Sequence, residues 1–140
     1  MSTPPKTPEN RNKAVIAYLD GHRLKGYIYN FSAMKDSFRL FSEADPLQDR
    51  GAHVELKDLK AVFFVKDLSG SPEYKETVFA GSPKSGRKLE ITFSDGETLV
   101  GTTDAYNPQK FGFFIFPTDP KSNNLRIFVV NKNVSRTKFL

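Results

Sequence analysis

Apolar and polar residues alternate over short runs along most of the chain, the two-residue period of half-buried β-strands. Leu89, Ile91 and Phe93 alternate with Glu90, Thr92 and Ser94, and Ser94-Asp95-Gly96 then supplies residues that tolerate the positive φ of a tight hairpin. The pattern predicts strands near 15–19, 24–31, 37–42, 54–56 and 59–65, and again near 89–93, 98–106, 111–116, 125–130 and 134–140. Polar loops interrupt it at 43–52 and 117–124, and a turn is expected at 131–133. Residues 73–79 fit either a helical turn or a strand.

The two sets of strands are copies. Shifted by 75 residues without a gap, Asp20, Gly21, Leu24 and Gly26 fall on Asp95, Gly96, Leu99 and Gly101. Lys35, Phe38, Phe41, Val54, Lys57 and Phe64 fall on Lys110, Phe113, Phe116, Val129, Lys132 and Phe139. With Lys13/Lys88 and Ile16/Ile91, residues 13–65 give 12 identities in 53 positions, which marks a duplicated small domain. The organisation read from this is a disordered tail at 1–12, a first unit at 13–66, a linker at 67–86 and a second unit at 87–140. The tail holds three of the nine prolines, and the linker carries Ser69-Gly70-Ser71-Pro72 and Gly81-Ser82-Pro83. Units of about 55 residues are near the lower limit for a self-sufficient core, so they are expected to lean on each other or on a partner.

Five strands with no room for a crossover helix predict an all-β fold of two tandem five-stranded antiparallel barrels. Closure would remove the edges that an open sheet must protect. Gly26 and Gly101, inside the second strand of each unit, are expected to permit the bend that closes each barrel.

Composition narrows the chemistry. Cysteine is absent, so disulfides, thiolate zinc sites and a cysteine nucleophile are excluded. The two histidines, His22 and His53, form no spaced metal motif. No nucleophile elbow, P-loop or dinucleotide fingerprint is present, so catalysis, a cofactor and a metal are not expected. The polar N-terminus and the lack of a spanning apolar run lead to an expectation of a soluble cytoplasmic protein, with no membrane partner. The net charge of +5 is spread along the chain, with Lys and Arg mostly alternating with Asp and Glu.

The string Asp20-Gly21-x-x-Leu24-x-Gly26 followed by Phe31, and Asp95-Gly96-x-x-Leu99-x-Gly101 followed by Tyr106, resembles the first half of the Sm-like motif. The resemblance implies an Sm-like or SH3-like barrel of five strongly bent strands and, as in many members, RNA binding through rings of subunits. Where that family places Asp and then Met-Asn, this chain reads Ser32, Lys35, Asp36 and Asn107, Lys110, Phe111. Near the family's Arg-Gly pair it has Lys57-Asp58 and Lys132-Asn133. Gly26–Met34, with Asn30-x-Ser32, resembles part of the PilZ signature and implies cyclic di-GMP binding. The expected glycine is Lys35 here, and upstream Arg11 has no second arginine four residues on, where Val15 stands. The run Gly112–Pro117 leading to Asp119–Asn124 resembles an uncharacterised bacterial domain found beside signalling modules, which implies an adaptor.

Two candidate surfaces follow. In one strand Phe113 and Ile115 point opposite to Phe114 and Phe116, and in the next Ile127 and Val129 point opposite to Phe128 and Val130. One barrel has one interior, so a second apolar face needs cover from the other unit, a second copy or a protein partner. Phe114, Phe116, Phe128 and Val130 are therefore the candidate partner-binding residues of a non-catalytic adaptor. The alternative is single-stranded nucleic acid or phosphate binding by Lys35, Lys57, Lys110, Arg126 and Lys132, with Tyr106 stacking on a base. Each of these residues also has a plain structural reading, as a solvated turn lysine or a ring filling the barrel end.

Overall fold

The computed structural model describes residues 11–42, 50–69, 86–119 and 121–140. Most of the expected tail and linker, residues 43–49 of the expected loop 43–52 and the ambiguous segment 73–79 lie outside them. Among the described residues ten strands follow in order: β1 (Arg11–Tyr18), β2 (Arg23–Tyr29), β3 (Ser37–Leu40), β4 (Ala52–Glu55) and β5 (Leu59–Val65), then β6 (Arg87–Phe93), β7 (Thr98–Thr103), β8 (Gly112–Ile115), β9 (Asn124–Val130) and β10 (Val134–Phe139). Single 3-10 turns, Leu56–Asp58 and Asn131–Asn133, join the fourth strand of each half to the fifth. No α-helix occurs among the described residues, so none is long and apolar enough to cross a membrane. Arg11 and Asn12, expected in the tail, belong to β1 and pair with Tyr29 and Ile28.

All pairing is antiparallel, in sheets ordered β2-β1-β5-β9-β8, β10-β6-β7 and β3-β4. The two-stranded and three-stranded sheets attach through isolated bridges, Tyr27 to Phe41 and Thr102 to Phe116. Each bridge carries a reciprocal pair of N–H···O bonds, of 2.7 and 2.9 Å in the first half and 2.9 and 2.8 Å in the second. Gly26 and Gly101 are explained here. A Cβ on Gly26 would stand 2.5 Å from the Phe41 carbonyl oxygen, and one on Gly101 would stand 2.6 Å from that of Phe116. The glycines allow β2 and β7 to pass close under the next strand at the bend.

The expectation of two closed five-stranded barrels is not met: the described strands lie in three sheets with no closed barrel. Among the described residues the fourth strand of neither half pairs with the fifth; β5 of the first half pairs instead with β9 of the second, from Ala61 opposite Val129 to Val65 opposite Asn124. Burial along β5 gives the reason. All seven of its residues are buried, a pattern for a strand with neighbours on both edges and packing on both faces.

The five-stranded sheet is a wall between two cores. On one face Ala14, Ile16, Val62, Phe64, Phe128 and Val130 pack with Leu40, Val54 and Leu56 beneath β3 and β4. On the other, Ala17, Ala61, Phe63, Val65, Ile127 and Val129 pack with Leu89, Ile91 and Phe93. Each core is built mostly by one half and completed by the other. The second apolar face anticipated from Phe114, Phe128 and Val130 is thus covered within the molecule. Phe128 is fully buried and Val130 nearly so, while Phe114 packs half-buried beside them. Phe128 and Val130 are core residues and present no free partner surface; Phe114 keeps part of its surface, and Phe116 is exposed.

Aromatic packing repeats with the strands. Phe31 sits edge-on to Phe38 and Phe64 at 5.6 and 5.2 Å, and Tyr106 to Phe113 and Phe139 at 5.0 and 5.4 Å. Only the first cluster is extended by Phe114 and Phe128 from the opposite half.

Candidate ligand cleft between the halves

Joining β5 to β9 brings the same loops of both halves to one side of the molecule. A cleft of about 540 Å³ opens there, within the range of small-ligand sites. Its lining is paired by the repeat: Asp36 with Phe111, Glu55 with Val130, Leu56 with Asn131 and Lys57 with Lys132, together with Pro108 and Lys110. Three of the lysines singled out from sequence, Lys57, Lys110 and Lys132, therefore meet in one place, two from the second half and one from the first.

Backbone bonds fix this arrangement twice. The Leu56 N–H donates to the Asp36 carbonyl at 2.9 Å, and the Asn131 N–H donates to that of Phe111 at 3.0 Å, so each 3-10 turn is tied to its own β2–β3-type loop. The Asn131 side chain also donates to the carbonyls of Asn107 and Lys110, at 2.7 and 2.9 Å. The loop carrying Lys110 and Phe111 is thereby held without using either side chain. The Asn133 amide reaches across the halves to the carbonyls of Lys57 and Leu59, at 2.9 and 2.7 Å, and fixes one 3-10 turn against the other.

Charge in the cleft is mixed and unequal. Lys57 pairs with Glu55 at 3.2 Å, which holds the Glu55 carboxyl below the usual carboxylate range and Lys57 above the usual lysine value. His53 also approaches Glu55, at 3.6 Å. Lys110 and Lys132 are exposed and have no ion pair among the described residues. Phe111, which lines the same cleft, is 46% exposed, and the first half has Asp36 at the equivalent position. A smaller adjoining cleft of about 240 Å³ shares Lys110 and Phe111 and adds Ala33, Met34 and Gln109.

The remaining sequence candidates lie elsewhere. Lys35 is exposed and outside the cleft lining, although its repeat partner Lys110 lies in it. Tyr106 leans on Phe113 and Phe139 and borders a different cavity. Arg126 lies over both Phe64 and Phe114, with its guanidinium carbon 4.7 and 4.4 Å from the ring centres. Burial draws its pKa down from the ordinary arginine value, although the guanidinium remains charged. Asn30, of the PilZ-like string, takes a left-handed φ of 57°, and the Ser32 hydroxyl accepts the Met34 N–H at 3.2 Å. Arg11 lies over the Tyr27 ring. His22 bonds to Asp20 and stacks on Tyr18. Among the described residues no three His, Asp or Glu side chains are grouped so as to hold a metal ion.

Phe111, Asp36 and Asn131 were not picked out as site residues from sequence. One signal was available: position 36/111 changes from an acid to a phenylalanine, beside a lysine that both copies keep.

Comparison with known proteins adds one match: the model of a family described as "Family of unknown function (DUF6982)" matches residues 10–140. No curated protein and no solved structure matches the chain.

Proposed function

The chain belongs to the DUF6982 family of unknown function, so its activity has to be read from its own geometry, and we propose that it is a non-catalytic module that binds single-stranded nucleic acid in the cleft between its halves. One observation carries this reading: Lys57, Lys110 and Lys132 line the same cleft as the exposed Phe111. Ammonium groups on a rigid frame contact phosphates by displacing counterions, and an exposed ring offers a base a stacking face without demanding a particular sequence. Unpaired bases reach such a ring, whereas stacked duplex bases do not. Each half contributes an Sm-like set of five strands, and the ligand surface comes from the loops that this duplication sets side by side.

A second reading, an adaptor for a protein segment, is favoured by the smaller cleft, where Met34 is 72% exposed beside Phe111. Cyclic di-GMP binding has the weakest support, because Asn30 and Ser32 serve local turns.

Fluorescence anisotropy with labelled single-stranded RNA, single-stranded DNA and duplex of equal length, at low salt, tests the proposal. Binding to single strands in preference to duplex, weakened by Phe111→Ala, is expected. No binding of any strand at low salt would reject it and leave the adaptor reading.

A further inference from the structure

Among the described residues, the outer edges of β4 and β10 pair with no strand. By the 75-residue shift these are the counterparts of β9 and β5, the two strands that form the internal joint. We infer that the outer edge of β10 is a vacant copy of that joint, and that residue changes along β10 and β4 close it against a second copy of this chain.

The joint works as a plug in a socket. In the first half, Phe31, Ala33, Leu56, Leu59 and Val62 surround Phe114, Phe128 and Val130 from the second. The equivalent socket in the second half is Tyr106, Pro108, Asn131, Val134 and Thr137, and these residues line a cavity of about 290 Å³. The plug that would enter it from another copy is Arg39, His53 and Glu55, the counterparts of Phe114, Phe128 and Val130. All three plug positions change from apolar to charged or titratable. Burying them without partners is opposed by desolvation.

The strand edge changes in the same sense. Ala61 and Phe63 of β5, which lie opposite Val129 and Ile127 of β9, are Arg136 and Lys138 in β10, and both of those residues are exposed. Basic residues on an edge, and an edge strand of only four residues such as β4, are ways in which sheets avoid adding strands. The ion pairs that flank the joint also vanish. Lys60 reaches Asp95 at 2.9 Å and Glu97 at 2.6 Å across the halves, but its counterpart is Ser135, and theirs are Asp20 and His22. The acid that the plug would bring to this basic edge, Glu55, is already engaged by Lys57 and His53. A heterologous contact of this kind would otherwise repeat from copy to copy.

Sedimentation velocity on three proteins tests this. Wild type is expected to run as one chain of 15.8 kDa. One variant restores the edge (Arg136→Ala, Thr137→Val, Lys138→Phe) and another restores the plug (Arg39→Phe, His53→Phe, Glu55→Val). Each alone is expected to remain a monomer, and an equimolar mixture to form a 1:1 dimer. A milder pair, Lys138→Phe and His53→Phe, gives the same mixing readout if the triple variants fold poorly. Folded variants that do not combine would overturn the inference. So would a wild-type oligomer that Lys138→Pro dissolves, or an edge variant that associates without its counterpart.

Discussion

The Asn133 side-chain amide donates to the Leu59 carbonyl at 2.7 Å, joining residues 74 positions apart in a buried setting. Its second bond, to the Lys57 carbonyl, makes it the clasp between the two 3-10 turns. Asn133→Ala leaves two carbonyls without that donor and is expected to cost about 1–3 kcal/mol in urea denaturation. Asn133→Asp should cost more, because it replaces the donor with an anion facing carbonyl oxygens. The counterpart Asp58 is exposed, and Asp58→Asn should change little. Equal effects at the two positions would contradict the clasp.

The shared wall predicts one unfolding transition. Phe128 belongs to the second half by sequence but is fully buried in the core that the first half builds. Phe128→Ala should destabilise by about 3–5 kcal/mol. Amides of β1 and β6, in different halves, should lose hydrogen-exchange protection together. Loss confined to one half would mean that the two fold as separate domains.

Lys60 is nearly fully buried and sets a pH signature. Burial disfavours its charge, but Glu97 and Asp95 outweigh burial and hold its pKa above the ordinary lysine value. Asp95 is held below the ordinary carboxylate value, chiefly by the bond from Lys60. The Asp95 contribution is complete above about pH 4 and is lost as pH falls below that. The Lys60 contribution is complete below about pH 10 and is lost as pH rises beyond it. Lys60→Met should flatten the stability profile at both ends. At pH 7 it should cost less than Asp95→Asn with Glu97→Gln, which leaves a buried ammonium without partners. Thermal melts across pH check both the flattening and the order.

Much of the fold was legible in the sequence because strand period and turn residues are local. The Asp-Gly hairpins, the Leu59–Val65 strand and the bend glycines all lie within a few residues of where they were read. The partner of β5 was not legible, because alternation within a strand shows which faces are buried and not which strand lies alongside. The clue was the excess of apolar residues at Phe114, Phe128 and Val130, whose cover, the first half itself, was one of several left open. The site was legible in part. Lys57, Lys110 and Lys132 were visible as repeated turn lysines, but their meeting depends on the β5–β9 joint. Arg126 and Tyr106 went to aromatic packing for the same reason: Phe64 beside the one and Phe139 beside the other come from strands distant in sequence.

The most direct test of the cleft is the salt dependence of single-strand binding, compared between wild type and Lys110→Ala/Lys132→Ala. Each phosphate contact contributes a slope of about −0.7 in log affinity against log salt for single strands. The double variant should bind more weakly at low salt and show a slope shallower by about 1.4, with its thermal melt unchanged. An unchanged slope and affinity in the folded double variant would contradict the assignment of the cleft as the binding surface.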